Sequence, residues 1–259
     1  MVKKLGTGTL LFENMPRVEG FASVVGKKES EGPLGALFDK TEYDSRGGCE
    51  TFEEAESRLQ QEAARLCMEK ADLRAQELDA VFAGDLLNQC TGSSFGLMHY
   101  GAPYLGQYGA CSTMAQALLM AAVFTESGAA DHALCVTSSH FCAAERQYRF
   151  PMEYGAVRTP TAQWTVTGAG SCILGKSRGK VAVRAAAVGK IQDMGVTDAN
   201  NMGAAMAPAV GIIEPYPAGE NKLGRLLHQK SEKKGVLGRV NSIKEVPYGK
   251  TAIISQRSP

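Results

Sequence analysis

The sequence has no apolar run approaching the ~20 residues that a membrane-spanning helix requires, and its longest hydrophobic stretches are short and interrupted. The opening MVKKLGTGTLLFEN offers two lysines but only LLF behind them, and no small-residue cleavage site follows, so no signal peptide is expected. Charge of one sign is also missing. The 28 Lys and Arg nearly balance 27 Asp and Glu, which removes nucleic acid as a default partner. Seven cysteines are scattered without a CxxC pair, and no His stands at metal-ligand spacing from them. That excludes a structural metal module and fits a reduced compartment. Histidine is scarce, with only His99, His132, His140 and His228, and Trp164 is the only tryptophan. The 259 residues, 44% of them hydrophobic, suffice for a sizeable soluble core.

Residues 7–25 alternate as a first strand would, and the turn-rich GKKESEGPLGALFDK after them reads as a loop or lid. Thr51 and Glu54 form a capping box. It opens an amphipathic helix with Phe52, Ala55, Leu59, Ala63 and Leu66 on one side and Glu53, Glu56, Arg58 and Gln60 on the other. DAVFAGDLL is a buried strand ending at Gly84 and Asp85, and a further strand is expected over 104–108. MAQALLMAAVF follows Cys111 without a charge, and a helix apolar nearly all round has to be covered on every side. ALCVT is the next buried strand, and WTVTGAGSCILG with KVAVRAAAVGK reads as a hairpin turning at SRG. Strand, helix and strand in this order predict an α/β layered domain over 1–210 with a parallel component. Residues 211–259 carry a net charge of +5, against −4 for the first 210. This atypical basic tail is either a partner-binding extension or the product of a reading-frame change, and not an independent domain.

Cys111 follows a strand and opens a helix, where free amides and the helix dipole favour a thiolate. GACST puts two small residues ahead of the sulfur, as a sharp nucleophile elbow requires. Simple packing beside a buried helix is the alternative. His140, in TSSHF at a strand end, is the one histidine expected near the elbow, either as its partner or as a hydrogen-bonded loop residue.

Six stretches, GPLGALFDKT, AGDLLNQ, YGACST, TSSHFCAAERQYRFPMEYG, PTAQWTVTGAG and VTDANNMGAAMAPA, resemble the stage V sporulation protein AD family in the right order from about residue 30 to 209. The resemblance implies a thiolase-like αβαβα fold with its N-terminal half largely present and its second half missing. It implies a soluble protein of the forespore or spore, peripheral to the inner membrane, that binds dipicolinate with other proteins of its operon. A homodimer is the analogy from thiolase-like folds. Calcium enters only as part of the ligand, and no cofactor is expected. The alternative readings are an acyl-transfer enzyme using Cys111, for which the histidines of a second half are wanting, and a truncated product without function. Without a partner half, burial should be incomplete and stability marginal unless the chain dimerises.

A receptor for a flat pyridine dicarboxylate wants cationic or amide donors, a flat wall and an acid for the metal. Arg146 and Arg149 are donor candidates, or are solvated and internally paired. Asp85 and Asn88 stand where they would take a metal or ligand hydroxyl, or Asp85 caps the next turn. Trp164 either stacks on the ring or fills core. Ser138, Ser139 and Gln163 are polar at strand ends, where such sheets place ligands.

Overall fold

The computed structural model describes residues 1–6, 8–148, 164–189, 191, 195–197, 204 and 251–257, without the side chains of 145–148 and 251–257. Its strands are β1 (Val2–Leu5), β2 (Thr9–Phe12), β3 (Arg17–Gly26), β4 (Lys40–Glu42), β5 (Ala80–Gly84), β6 (Tyr104–Gly106), β7 (His132–Ser139), β8 (Gly168–Gly175), β9 (Val181–Val188) and β10 (Thr251–Arg257). The α-helices are α1 (Lys27–Ser30), α2 (Phe52–Ala71), α3 (Thr91–Leu97), α4 (Thr113–Ser127) and α5 (Phe141–Tyr148). By internal packing the chain divides into a larger unit, Met1–Lys3 with Leu11–Ala185 and Ile253–Pro259, and a smaller one, Lys4–Leu10 with Ala186–Ala252. In the smaller unit the Val188 N–H donates to the Gly8 carbonyl at 2.8 Å. The boundary expected between 210 and 211 lies outside the described residues.

In the larger unit the sheet runs β9-β3-β8-β7-β5-β6, with β4 beside β3. β5 is parallel to β7 and β6, while β8 is antiparallel to β7 and β3. The expected hairpin of β8 and β9 is therefore corrected, because β3 lies between them and pairs with both. Arg17 on β3 also donates through Nη1 to Gly179 O at 3.0 Å, pinning the turn after β8. Strand pairing of this kind is non-local, so adjacency in sequence misleads. The expected first strand is likewise divided, with β2 and β3 separated by Met15, at φ 53°, and Pro16.

Side chains alternate across the sheet. Val81 and Ala83 of β5, Leu134 and Val136 of β7, Ile173 of β8 and Ala22 of β3 join Ala64, Cys67, Met68 and Ala71 of α2 in one buried cluster. Each fully buried aliphatic chain there contributes about 1.5–3 kcal/mol. On the other face Phe82 meets Phe124 of α4 edge-on, with ring centroids 5.0 Å apart.

The capping box of α2 is present as expected, Glu54 N–H donating to Thr51 Oγ1 at 3.1 Å and Thr51 N–H to Glu54 Oε2 at 3.3 Å. Two expectations for the helices are corrected. Glu56 and Gln60 lie not on the solvent face of α2 but fully buried, because they continue the stripe of Ala63, Ala64 and Cys67 by one helical turn. α4 is not covered on every side: Thr113, Ala117, Ala121 and Ala122 are buried, whereas Met114, Leu118, Met120 and Val123 are only half-buried.

Candidate functional site

The loop from β6 into α4 makes a sharp elbow. Gly109 N–H donates to Thr113 Oγ1 at 3.1 Å, and Thr113 Oγ1 donates to Ala110 O at 2.8 Å. Ser112 adds a hydroxyl donated to Gly109 O at 2.8 Å. Ala110 is left-handed, at φ 46°, a conformation that disfavours any residue with a Cβ. The turn closes only because its neighbours are bare. A Cβ on Gly84 would stand 1.9 Å from Gln107 O, and one on Gly109 2.7 Å from Ser112 Oγ. The result is an exposed, unpaired Cys111 at the head of α4, beyond the carboxyl ends of parallel β5 and β7.

Asp85 and Ser138 are spent elsewhere, in a buried polar network on the α2 face. Asp85 accepts from Leu87 N–H at 2.8 Å and, on Oδ2, from the Ser93 amide at 2.6 Å and hydroxyl at 2.5 Å, so it caps α3. Gln60 Nε2 donates to Ser93 Oγ at 2.9 Å and Ser138 Oγ at 2.7 Å, and Ser138 Oγ donates in turn to Glu56 Oε1 at 2.7 Å. Glu56 Oε2 and Gln60 Oε1 are buried without a partner among the described residues. Burial, aided by the charges of Asp85 and Glu53 and opposed by the Ser138 hydrogen bond, pushes the Glu56 carboxyl up to about 8. Glu56 therefore keeps its proton at neutral pH. Its burial was readable only as the i,i+4 continuation of an alanine stripe.

Asn88 is exposed in a short 3-10 turn, its carbonyl accepting from Thr91 Oγ1 at 2.5 Å. Gln89 and Cys90 after it are both left-handed, at φ 59° and 55°. His140 is buried, its Nε2 2.7 Å from Ser45 O and its Nδ1 accepting from Cys142 N–H at 3.2 Å. The contact to a carbonyl fixes the Nε2–H tautomer. Desolvation lowers its pKa further. It is a neutral strut between the 45 loop and α5, with both nitrogens engaged.

Trp164 is 50% exposed rather than core. It stacks on Phe141 at 4.6 Å, and Lys28 Nζ stands 3.0 Å over its ring. Trp164 and His140 line a cavity of about 730 Å³ together with residues of α1, α2 and the 42–47 loop. This cavity lies on the α2 side of the sheet and does not include Cys111, Asp85, Asn88 or Ser138. Arg149 and Gln163 lie outside the described residues, as does the side chain of Arg146 on α5. The sheet thus parts the expected set into an elbow on one face and a cavity on the other. Among the described residues no helix is long and apolar enough to cross a membrane.

Residues 6–216 match the family model of Stage V sporulation protein AD. Stage V sporulation protein AD of Bacillus subtilis (strain 168) is 39% identical over 208 residues, 80% of this chain and 62% of the relative, so the chain spans under two thirds of that protein's length. A crystal structure of an OleA variant from Xanthomonas campestris bound with cerulenin is 15% identical, with 70% of this chain and 63% of that one superposed at a TM-score of 0.50. 3-Oxoacyl-[acyl-carrier-protein] synthase III from Aquifex aeolicus VF5 is 16% identical over 68% of this chain and 58% of that one, at a TM-score of 0.45. Match length and identity together place the chain, with its thiolase-like α/β fold, in the stage V sporulation protein AD family.

Proposed function

We propose that the protein serves sporulation by binding dipicolinate at the head of α4, with Cys111 at the floor of the site. The observation that carries this is the elbow itself. An exposed sulfur stands at the head of a 15-residue helix, at strand ends, where the helix dipole favours a carboxylate. Family membership supplies the sporulation context. Calcium accompanies the ligand, and partnership with the other proteins of the operon, at the spore inner membrane, and with a second copy belongs to the same proposal.

Calorimetry with dipicolinate is expected to give saturable heat and a raised melting temperature. Cys111→Ala weakens binding a few-fold, and Cys111→Trp, which fills the elbow, removes it. No heat and no stabilisation on a folded sample would end the proposal.

A second reading, acyl transfer on Cys111, is favoured by the exposed thiol at a helix N-terminus. Against it, His140 has both ring nitrogens engaged by Ser45 and Cys142 and cannot serve as base. Intact-mass spectrometry after acyl-CoA treatment separates the two, since an acyl adduct on Cys111 is expected only from the second.

A further inference from the structure

The cavity on the α2 side is independent of the elbow and has a chemistry of its own. Its floor is apolar, from Val24, Ala55 and Leu59, and about 730 Å³ is within the range of small-molecule pockets. One wall is the stacked pair of Trp164 and Phe141. The half-exposed Trp164 ring already holds a cation, the Lys28 ammonium, so the face attracts positive charge or a planar group that displaces it.

Glu29 bears on the sign of the ligand. Its Oε1 accepts from Thr167 N–H at 3.1 Å, while its Oε2 is buried without a partner among the described residues. A buried acceptor left unmade costs about 1–3 kcal/mol, more for a charged group, and a donor brought by a ligand removes that penalty. The other lining charges are largely committed. Lys40 pairs with Glu62 at 2.9 Å, and Asp44 accepts from the Arg46 and Gly48 amides, both at 3.1 Å. Lys27 and Arg58 remain as cations of the lining, the latter anchored through Nη1 to Gly47 O, and Glu31 and Glu42 as further carboxylates. The carboxylates repel a dianion such as dipicolinate, and the two cations offer a place for one carboxylate that a simple amine leaves unused.

We infer that this cavity is a binding site for a small aromatic zwitterion, an aromatic amino acid. The ammonium lies on Glu29 Oε2, the ring lies on Trp164 in place of Lys28, and the carboxylate lies toward Lys27 and Arg58.

Trp164 is the only tryptophan, so intrinsic fluorescence of the full chain reports this cavity. The probes are L-phenylalanine, phenylpropionate without the ammonium, phenethylamine without the carboxylate, and dipicolinate with and without calcium. Phenylalanine is expected to give a saturable change at a concentration at least about tenfold below any other probe, because an ion pair or charged hydrogen bond is worth that factor. Glu29→Gln keeps the acceptor for Thr167 and is expected to erase the advantage of phenylalanine over phenylpropionate at an unchanged melting temperature. Lys28→Met, at an exposed position, removes the competing ammonium and is expected to tighten phenylalanine several-fold. Phenylpropionate or either form of dipicolinate matching phenylalanine would overturn the inference, as would no saturable response to phenylalanine or its loss in Lys28→Met. Dipicolinate heat without a change in Trp164 emission leaves the elbow proposal standing whatever the cavity binds.

Discussion

Glu56 is a protonated acid whose Oε1 accepts from Ser138. Its fold-raised pKa means the neutral form is what the native state prefers. The stabilisation is fully present below the ordinary carboxylate value of 4.5 and is lost as pH rises through about 8. A shift of that size corresponds to on the order of a few kcal/mol. Glu56→Gln keeps the hydrogen bond from Ser138 and carries no proton to lose. Thermal melts from about pH 5 to about pH 9 should show the parent losing stability while the variant changes much less and is the more stable at the alkaline end. Reading at this scale is uneven for a physical reason. Thr51 and Glu54 interact within one turn, so their capping box was visible in four letters. Glu56 and Asp85 find their hydrogen-bond partners in Ser138 and Ser93, and for Glu56 that partner is 82 residues away.

Among the elements, the elbow is the one whose shape depends on missing atoms. Gly84→Ala places a methyl against Gln107 O and Thr113 Cγ2, and backbone has to move to admit it. The expected loss is about 2 kcal/mol or more, as for other overpacked sites, read as a lower urea midpoint, with altered alkylation of Cys111 as the local signature. The position of Cys111 between a strand and a helix was legible because both flanking elements announce themselves locally. The place of β3 between β8 and β9 was not, because a strand's neighbours are chosen by the whole sheet. Trp164 and His140 stood out in the sequence without their setting. The cavity that unites them is built from α1, α2 and two loops distant in sequence.

For the molecule as a whole, α4 carries the clearest mismatch between composition and burial. Its sequence, without a charge from Thr113 to Thr125, asks for cover on all sides, yet Met120 and Val123 stay half-buried. An apolar dye such as ANS should bind the native chain there. Met120→Lys should reduce the dye signal at a stability cost of about 1 kcal/mol, the usual size for a point substitution at a partly buried site. Dye binding unchanged by the substitution would place the exposed apolar surface elsewhere.

The alternation of β7 has a consequence for how such a chain can vary. Ser138 turns to the Glu56 network, and Ser139, one residue on, turns to the opposite face. Substitution at even or odd positions of His132–Ser139 alters the packing on one face of the sheet and leaves the other alone. Gaining or dropping one residue inside the strand swaps the inhabitants of both at once. Length changes are tolerable only in turns such as the one after β8, so this strand is a ruler whose count is held while its letters are free to drift.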